Sequence, residues 1–398
     1  MVKTDISATK RVLISGGGIA GLTLGILLRV KGWEPLLIER DPALRTEGYM
    51  IDFFGTGWDV AERIGIVDEL RAVKYPIDYL EFVDHTGKPY VSAPISRVRQ
   101  ALNDNYVYLR RSDLEKILFE RAKSAGLNVR FGTTIRSLND IGSSVEVEFE
   151  DGSRDSFSLV FGADGVHSRV RELAFGPEEQ FARFLGAYVT AFHIANKYDI
   201  TNSIKLYEEV DHTIGYYPIN DNVITSFYVF RSGNEGYVQH EKRLPLLKEK
   251  FENAGWIGKR VLEDLTPETP VFFDSLTQIL MPHWSNGRIA LLGDACACLT
   301  LIAGQGSHMA MGEAYVIASE LERYGGEHLP AFQAYEELLK PPVMAKQDSA
   351  ARFSKSFIPS VDSRMWLRRI VIRFVFNRFL IGYFLSSFGS KSVLRRYS

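Results

Sequence analysis

Residues 11–40, RVLISGGGIAGLTLGILLRVKGWEPLLIER, constrain the fold of this chain more than any other stretch. The apolar run 12–15 predicts a buried strand, and the glycine-rich turn after it predicts the start of an apolar helix that ends at Gly32. A second apolar run, 35–38, predicts another strand. Strand, helix and strand in this order form a βαβ unit, which implies a parallel sheet.

The glycine spacing within this unit indicates a dinucleotide site. Gly16 allows the tight turn, Gly18 lets the backbone approach a pyrophosphate, and Gly21 lets the helix pack closely on the strand. Glu39, at the end of the second strand, is placed to accept ribose hydroxyls. A glycine turn without a ligand is the alternative, but strand, helix and acid together favour the dinucleotide site. The predicted contacts are Gly16, Gly18, Ile19, Ala20, Gly21, Glu39 and Arg40.

Composition narrows the class of protein. The 398 residues suggest two or three domains, and 45% hydrophobic with 24% charged residues is ordinary for a globular enzyme. A net charge of −2 argues against a nucleic-acid partner. Cys296 and Cys298 cannot join distant segments or complete a zinc site, so no metal is expected. Without a recognisable signal peptide, we expect a cytoplasmic protein.

The rest of the chain predicts an interrupted nucleotide-binding domain. Runs 187–194, 203–208, 213–218 and 223–230 alternate like strands of an antiparallel sheet, whereas 287–292 returns to a fully apolar strand. We therefore predict an α/β fold. Its nucleotide-binding domain comprises residues 1–74, 106–182 and 282–352, its substrate domain comprises 75–105 and 183–281, and a helical region comprises 353–398.

The apolar segment 366–388 contains four arginines, Arg368, Arg369, Arg373 and Arg378. Each arginine would cost about 2.5–3.5 kcal/mol near the centre of a bilayer, which argues against a transmembrane helix. Leu367, Ile370, Val371 and Phe374 share one helical face. We favour a helix that packs this face on the protein core over one that lies on a membrane surface.

Three separated motifs carry a resemblance to a known family. They are the glycine turn with Glu39-Arg40, the run GADGVHSRVR at 162–171, and RIALLGDA at 288–295 followed by AGQG at 303–306. In this order they resemble the motifs of the single-component FAD-dependent aromatic hydroxylases, the para-hydroxybenzoate-hydroxylase-like family. Within it, the segment 49–57 is most similar to the tetracycline-inactivating and polyketide-tailoring subgroup.

The resemblance implies a Rossmann-type FAD-binding domain (GR2-like) with an inserted antiparallel-sheet substrate domain and a C-terminal helical segment. By this resemblance Asp294 would bind the ribityl chain, and Asp164 would assist at the pyrophosphate and with NADPH. The role of Asp164 extends more loosely to Arg171, for which a surface salt bridge is the alternative. Ala297, Leu301 and His308 depart from the family pattern. The implied FAD contacts outside the first unit are Arg111, Asp164, Gly293, Asp294, Gly304 and Gly306.

The substrate is expected between the flavin and the inserted sheet. Arg231 is the strongest substrate candidate, because a charge that ends an apolar strand needs an anionic partner or water. His308 would either gate proton movement or cap its helix, and no side chain is a certain catalyst. The predicted substrate contacts are Tyr188, Thr190, Phe192, Tyr217, Phe227 and Arg231, with ordinary sheet core as the alternative.

The implied function is an FAD monooxygenase that uses NAD(P)H and O₂. It would hydroxylate an aromatic or polycyclic, tetracycline-like small molecule through a C4a-hydroperoxyflavin, or insert oxygen by Baeyer–Villiger chemistry. A flavin-dependent reductase of a lipid-like substrate and a non-catalytic flavin- or drug-binding protein remain alternatives. The choice between NADPH and NADH, and between monomer and homodimer, stays open.

Overall fold

A computed structural model describes residues 10–44, 49–233, 236, 238–300, 304–359, 365–375, 392–394 and 397. The strands are β1 (Arg11–Ser15), β2 (Glu34–Ile38), β3 (Met50–Phe54), β4 (Tyr79–Val83), β5 (Pro89–Pro94), β6 (Tyr106–Arg110), β7 (Asn128–Arg130), β8 (Ile135–Asp140), β9 (Val145–Phe149), β10 (Arg154–Phe157), β11 (Leu159–Gly162), β12 (Ala182–Ala195), β13 (Ser203–Glu209), β14 (His212–Asn220), β15 (Val223–Arg231), β16 (Phe272–Ile279), β17 (Ser285–Asn286) and β18 (Ile289–Leu291). The helices are α1 (Ile19–Val30), α2 (Gly55–Ile64), α3 (Val67–Ala72), α4 (Ser96–Ala101), α5 (Arg111–Ser124), α6 (Arg169–Phe175), α7 (His240–Lys250), α8 (Gly258–Glu263), α9 (Asp294–Ala297), α10 (Gly306–Arg323), α11 (His328–Phe357) and α12 (Met365–Val375).

The first sheet has six strands in the order β17-β18-β11-β1-β2-β7. The predicted βαβ unit forms its centre: β1 runs parallel to β2 and to β11, and β11 runs parallel to β18. Helix α1 packs against α5 and α10. Because parallel strands end at the same edge of a sheet, the turns that follow β1, β2, β11 and β18 meet there. This edge positions the candidate site.

The second large sheet has seven strands in the order β16-β12-β15-β14-β13-β4-β5. Its pairings are antiparallel except for the parallel pair β13–β4, which attaches the hairpin β4–β5 to the sheet. Helices α7 and α8 cover one face through Leu247, Phe251 and Val261. The domain boundaries stay a prediction, supported by a sheet that takes its strands from residues 79–94 and 182–279.

The two-stranded sheet β3–β6 lies between the two large cores. Its residues Phe53 and Leu109 belong to the core of the six-stranded sheet, whereas Met50 and Tyr108 pack with Tyr217 of the seven-stranded sheet. Alternating side chains of one strand therefore connect the two parts of the molecule.

Two local features shape the helices near the cleft. Segment 55–72 forms two helices, α2 and α3, because Gly65 adopts φ 72° and ends α2 in the left-handed conformation. In the first turn of α5, the carboxylate of Asp113 accepts hydrogen bonds from the guanidinium of Arg110.

Helix α12 packs with the opposite face from the one predicted. Leu367, Ile370 and Phe374 are 47–66% exposed, whereas Arg368 forms an ion pair with the buried Glu208 and Ile372 packs on β5. Arg368 and Ile372, one helical turn apart, therefore form the inner face of α12, and the aliphatic stem of Arg368 is partly buried while its guanidinium pairs with Glu208. Residues 376–388 of the predicted helix lie outside the described residues. Within the described ranges, the helices are too short or too polar to cross a bilayer.

Candidate functional site

A deep cleft of about 340 Å³ lies at the shared edge of the parallel strands. It brings together the three motifs that are far apart in sequence. The predicted cofactor residues that line it are Gly16, Gly18, Ile19, Ala20, Glu39, Arg40, Arg111, Asp164, Asp294, Gly304 and Gly306. Gly21 and Gly293 lie behind this lining and shape the backbone. Contact of any of these residues with a cofactor is our proposal.

The glycine turn is built by close backbone contacts. Gly16 has φ +108°, and a Cβ there would lie 2.3 Å from the carbonyl oxygen of Ala163. A Cβ on Gly21 would lie 2.0 Å from the carbonyl oxygen of Gly16, so Gly21 lets α1 pack on the turn. A Cβ on Gly18 would lie 3.6 Å from Oε1 of Glu115 and 3.8 Å from the guanidinium of Arg111. Gly18 itself lines the cleft, so its backbone is accessible to a ligand there.

Glu39 joins the glycine turn to the end of β2. Its Oε2 accepts a hydrogen bond from the backbone N–H of Gly17 at 2.7 Å, and its Oε1 accepts one from the N–H of Asp41 at 2.9 Å. Each carboxylate oxygen retains a free lone pair on the cleft side, which is the acceptor that a ribose hydroxyl needs.

Replacement of Glu39 by alanine should weaken FAD binding about tenfold, because one charge-assisted acceptor is removed from the cleft. The dissociation constant is measured by quenching of FAD fluorescence. Glu39→Gln is the control, since it keeps an acceptor but removes the charge, and it should lose less affinity. Equal affinity of the alanine variant and the natural protein would contradict the ribose assignment.

Arg111 is the first residue of α5, and its guanidinium reaches Gly18 at the start of α1, where a buried acid holds it. Its guanidinium pairs with Glu115 at 2.9 Å, and Glu115 is 4% exposed. Burial opposes ionisation of Arg111, but the nearby Glu115, Tyr49, Asp294 and Glu39 outweigh it and raise its pKa. A fixed cation beside the N–H groups of a helix N-terminus suits a pyrophosphate.

Asp164 fixes the turn after β11 and contacts α6. Its carboxylate accepts hydrogen bonds from the hydroxyl of Ser168 at 2.5 Å and the N–H of Val170 at 3.1 Å. Burial raises the pKa of Asp164, and these donors oppose the shift. The side chain thus orders the loop that lines the cleft, in keeping with an indirect role at the phosphates.

Arg171 does not form the surface salt bridge that was the alternative, and its indirect role at the cofactor stays a prediction. It is fully buried and donates to the carbonyl oxygens of Ala295 and Val166, at 3.0 and 2.6 Å, while pairing with Glu178 at 2.7 Å. A surface salt bridge is therefore excluded for Arg171. The side chain joins the 162–171 motif to the 288–295 motif from behind the cleft.

Asp294 points into the deepest part of the cleft. Its carboxylate is open to the cleft, and burial within the protein raises its pKa, with Arg111 opposing the shift. The preceding Gly293 adopts φ 65° and donates its N–H to Glu313 at 2.5 Å. The end of β18 and the turn at Gly293 thus place the carboxylate of Asp294 at the surface of the cleft, where it can accept hydrogen bonds from a ligand.

The far end of the cleft is formed by the N-terminus of α10. Gly304, Gly306 and Ser307 line it, so the first N–H groups of the helix face the cleft. Thr300 lines the same end with φ 107°, and in the described part of the chain its buried Oγ1 has no hydrogen-bond partner. A strained, orphaned polar atom at a cleft wall fits a bound polar ligand. Leu301 and Ala303 lie outside the described residues.

His308 is a buried neutral side chain outside the cleft lining. Its Nε2–H donates to the carbonyl oxygen of Asp52 at 2.7 Å, and its ring lies 4.7 Å from that of Phe54. Burial lowers the pKa of His308 to about 4, so the ring is neutral at pH 7. It joins α10 to β3 and does not cap the helix. A proton-gating role stays a prediction that this geometry does not support.

The opposite wall of the cleft comes from residues that the sequence did not single out as a site. Phe272, Asp274 and Thr277 on the edge strand β16 face the glycine turn, and the rings of Tyr49 and Phe272 are 6.0 Å apart. Burial raises the pKa of Asp274. The segment FFDSLTQI lacks a regular alternation of apolar and polar residues, and no local signal identifies it as an edge strand beside the cleft.

The predicted substrate residues fall on two faces of the seven-stranded sheet. Tyr188 and Phe192 are each 2% exposed and pack toward α7 and α8, and Thr190 lies between them on the same face. Tyr217 and Phe227 lie on the face toward β3–β6. The alternation of side chains along a strand is the reason. None of these five residues lines the cleft, and their substrate role stays a prediction.

Arg231 has its anionic partner within the protein. Its guanidinium pairs with Asp211 at 2.9 Å and donates to the carbonyl oxygen of Ile358 at 2.7 Å. The charge is therefore compensated without a substrate, and the contact joins the end of β15 to the end of α11.

Comparisons with known proteins agree with this site. Residues 9–329 match the family model described as FAD binding domain. A flavin-dependent monooxygenase from an unknown prokaryotic organism is 32% identical over 353 residues, covering 88% of this chain and 91% of the relative. The crystal structure of tetracycline destructase Tet(51) is 30% identical with a TM-score of 0.79, over 92% of this chain and 98% of that one. Tetracycline destructase Tet(55) is 29% identical with a TM-score of 0.81, over 94% and 97% of the two chains.

The fold, the convergence of the three motifs and these similarities have one explanation. The chain belongs to the FAD-binding family of flavin-dependent monooxygenases, is an FAD monooxygenase of the aromatic hydroxylase kind, and is similar within that family to the tetracycline destructases.

Proposed function

We propose that the protein uses NAD(P)H and O₂ to hydroxylate a polycyclic, tetracycline-like aromatic substrate. The observation that carries this proposal is the cleft, which is lined by Glu39, Arg111, Asp294 and the N-terminus of α10 together. An acceptor, a cation, a second acceptor and a helix N-terminus are the groups that the ribose, pyrophosphate, ribityl chain and isoalloxazine of FAD require.

The residues of the chain bind and orient the cofactor. Glu39 would accept the adenosine ribose hydroxyls, and Arg111 with the N–H groups of α1 would hold the pyrophosphate. Asp294 would accept the ribityl hydroxyls. When bound, the reduced flavin supplies the oxygen chemistry, for which we propose the C4a-hydroperoxide of the related hydroxylases; the protein positions the ring and excludes water.

The substrate would lie where the cleft meets the seven-stranded sheet. Tyr49 and Phe272 offer flat apolar surfaces for a fused ring system, and Asp274 offers an acceptor for its hydroxyl groups. The similarity to Tet(51) and Tet(55) supports a tetracycline as the first compound to test. We further propose a cytoplasmic monomer or homodimer.

The test measures NADPH and NADH oxidation by the FAD-loaded protein in air. A panel of tetracyclines, other polycyclic polyketides and simple phenols is added, and products are followed by mass spectrometry. We expect a polycyclic compound to stimulate coenzyme oxidation and to gain one oxygen atom. The site of that atom separates hydroxylation from Baeyer–Villiger insertion, which places oxygen between two carbons.

Two results would contradict the proposal. Continued turnover without O₂, with saturation of a substrate double bond, would identify a reductase. Tight binding of the panel compounds, with FAD in place but no stimulated coenzyme oxidation, would identify a binding protein. The Phe272→Ala variant should raise the KM for the active compound while the FAD content stays unchanged.

A further inference from the structure

Lys346 on α11 reaches the N-terminus of α10. Its Nζ donates a hydrogen bond to Oε1 of Gln305 at 2.5 Å. Gln305 is the residue that immediately precedes α10, between the cleft-lining Gly304 and Gly306. The ammonium group therefore contacts the side chain of the residue that precedes α10 at the far end of the cleft.

The charge of Lys346 lacks an acidic partner in the described part of the chain. Other cations near the core pair with carboxylates, as Arg111 does with Glu115 and Lys340 with Glu336. Among the described residues, no carboxylate lies within ion-pair distance of Lys346. Burial lowers its pKa, which shows that the surroundings disfavour the ammonium. A cation in such a place is stabilised when an anion binds nearby.

The nearby groups add to the positive potential. The N-terminus of the 18-residue helix α10 carries the positive end of the helix dipole. Lys346 also lowers the pKa of His308, after the larger effect of burial, and His308 remains neutral. The charge of Lys346 and the dipole of α10 therefore both favour negative charge on a ligand that lies at Gly304 and Gly306.

We propose that Lys346 is a positioning residue that orients Gln305 and stabilises the negative charge that the isoalloxazine ring gains on reduction, so that it raises the reduction potential of the bound FAD. This inference rests on the proposed placement of FAD in the cleft. It adds a residue from α11, far from the three motifs, to the control of the cofactor.

The experiment compares the full-length natural protein with Lys346→Met and Lys346→Arg. Three quantities are measured: the dissociation constant of oxidised FAD, the two-electron reduction potential, and the affinity for sulfite, whose addition to the flavin also leaves negative charge on the ring. Loss of the positive charge of Lys346 should weaken sulfite binding about tenfold and should lower the equilibrium constant for reduction of the bound FAD by a similar factor. For a two-electron couple, a tenfold change corresponds to about 30 mV.

Lys346→Arg should restore both values to within about threefold of the natural protein, because it keeps the charge. Arg352→Met is the matched control, since it removes an exposed cation that contacts Ser349 on the same helix, and it should change neither value. An unchanged potential and sulfite affinity in Lys346→Met, with FAD bound, would refute this role for Lys346. Failure of the natural protein to bind FAD would instead refute the proposed function.

Discussion

Replacement of Asp294 by alanine is expected to yield a folded protein that loses most of its FAD. Asp294 lines the cleft immediately after the turn at Gly293, where the proposed position of FAD would place the ribityl chain. Hydrogen bonds to a charged acceptor contribute about 1.5–3 kcal/mol, so the dissociation constant should rise about 10- to 100-fold.

The measurement is the FAD content of the purified variant by absorbance, followed by titration of the apoprotein with FAD. Asp294→Asn is the control, because it keeps one acceptor oxygen but removes the charge, and it should fall between the two proteins. A full complement of flavin in Asp294→Ala, with unchanged affinity, would show that the ribityl contact lies elsewhere.

Circular dichroism and thermal unfolding of the apoproteins separate binding from folding. Burial has the largest effect on the carboxyl of Asp294 and raises its pKa, whereas nearby Arg111 and a hydrogen bond with Cys298 oppose the shift. Removal of this carboxyl therefore should leave the melting temperature of the apoprotein unchanged or slightly raised. A large loss of apoprotein stability would mean that Asp294 serves the fold rather than the ligand.

The cofactor half of the site was predictable because its signals are local. Gly16, Gly18 and Glu39 are set by one βαβ unit, whose strand and helix patterns are readable from residues 11–40 alone. Parallel strands end at one edge, so the motifs after β11 and β18 had to join that unit. The family resemblance added the order of the motifs and the identity of the cofactor.

The substrate half was less predictable because it depends on which face of a strand meets the cleft. Alternation shows that Tyr188 and Tyr217 lie in strands, but not that they lie on opposite faces of the finished sheet. The cleft wall at Phe272 and Asp274 arises because β16 is the edge strand, a property of pairing order. Long-range contacts such as Arg231 with Asp211 leave no trace in local sequence.

Glu313 is a further buried group that local pattern did not reveal. It is 1% exposed on α10 and accepts the N–H of Gly293 at 2.5 Å. Burial raises its pKa to about 8, although the Gly293 hydrogen bond opposes the shift. Glu313 lies among apolar residues of α10, and its hydrogen bond holds the turn at Gly293, which precedes Asp294.

This raised pKa predicts that Glu313 makes the protein less stable as the pH rises. Between about pH 4.5 and 8, the folded state keeps a proton that the unfolded state has released. The stabilising contribution is therefore complete below pH 4.5 and is lost as the pH rises toward 8. The expected slope from this group alone is about 1.4 kcal/mol per pH unit.

The Glu313→Gln variant should lack this loss, because the amide keeps an acceptor for Gly293 but does not titrate. Thermal or urea unfolding of both apoproteins between pH 6.5 and 8 gives the difference in stability, which should grow in favour of the variant as the pH rises. His308, whose pKa is lowered from 6.5 to about 4 by burial, gives both proteins the same small gain in stability as the pH rises above 6.5, so it cancels in the difference. Glu322→Gln, which changes an exposed acid of the same helix, should follow the natural protein.

Parallel stability curves for the natural protein and Glu313→Gln would show that Glu313 is ionised throughout, and the turn at Gly293 would then be held by a carboxylate rather than by a carboxylic acid.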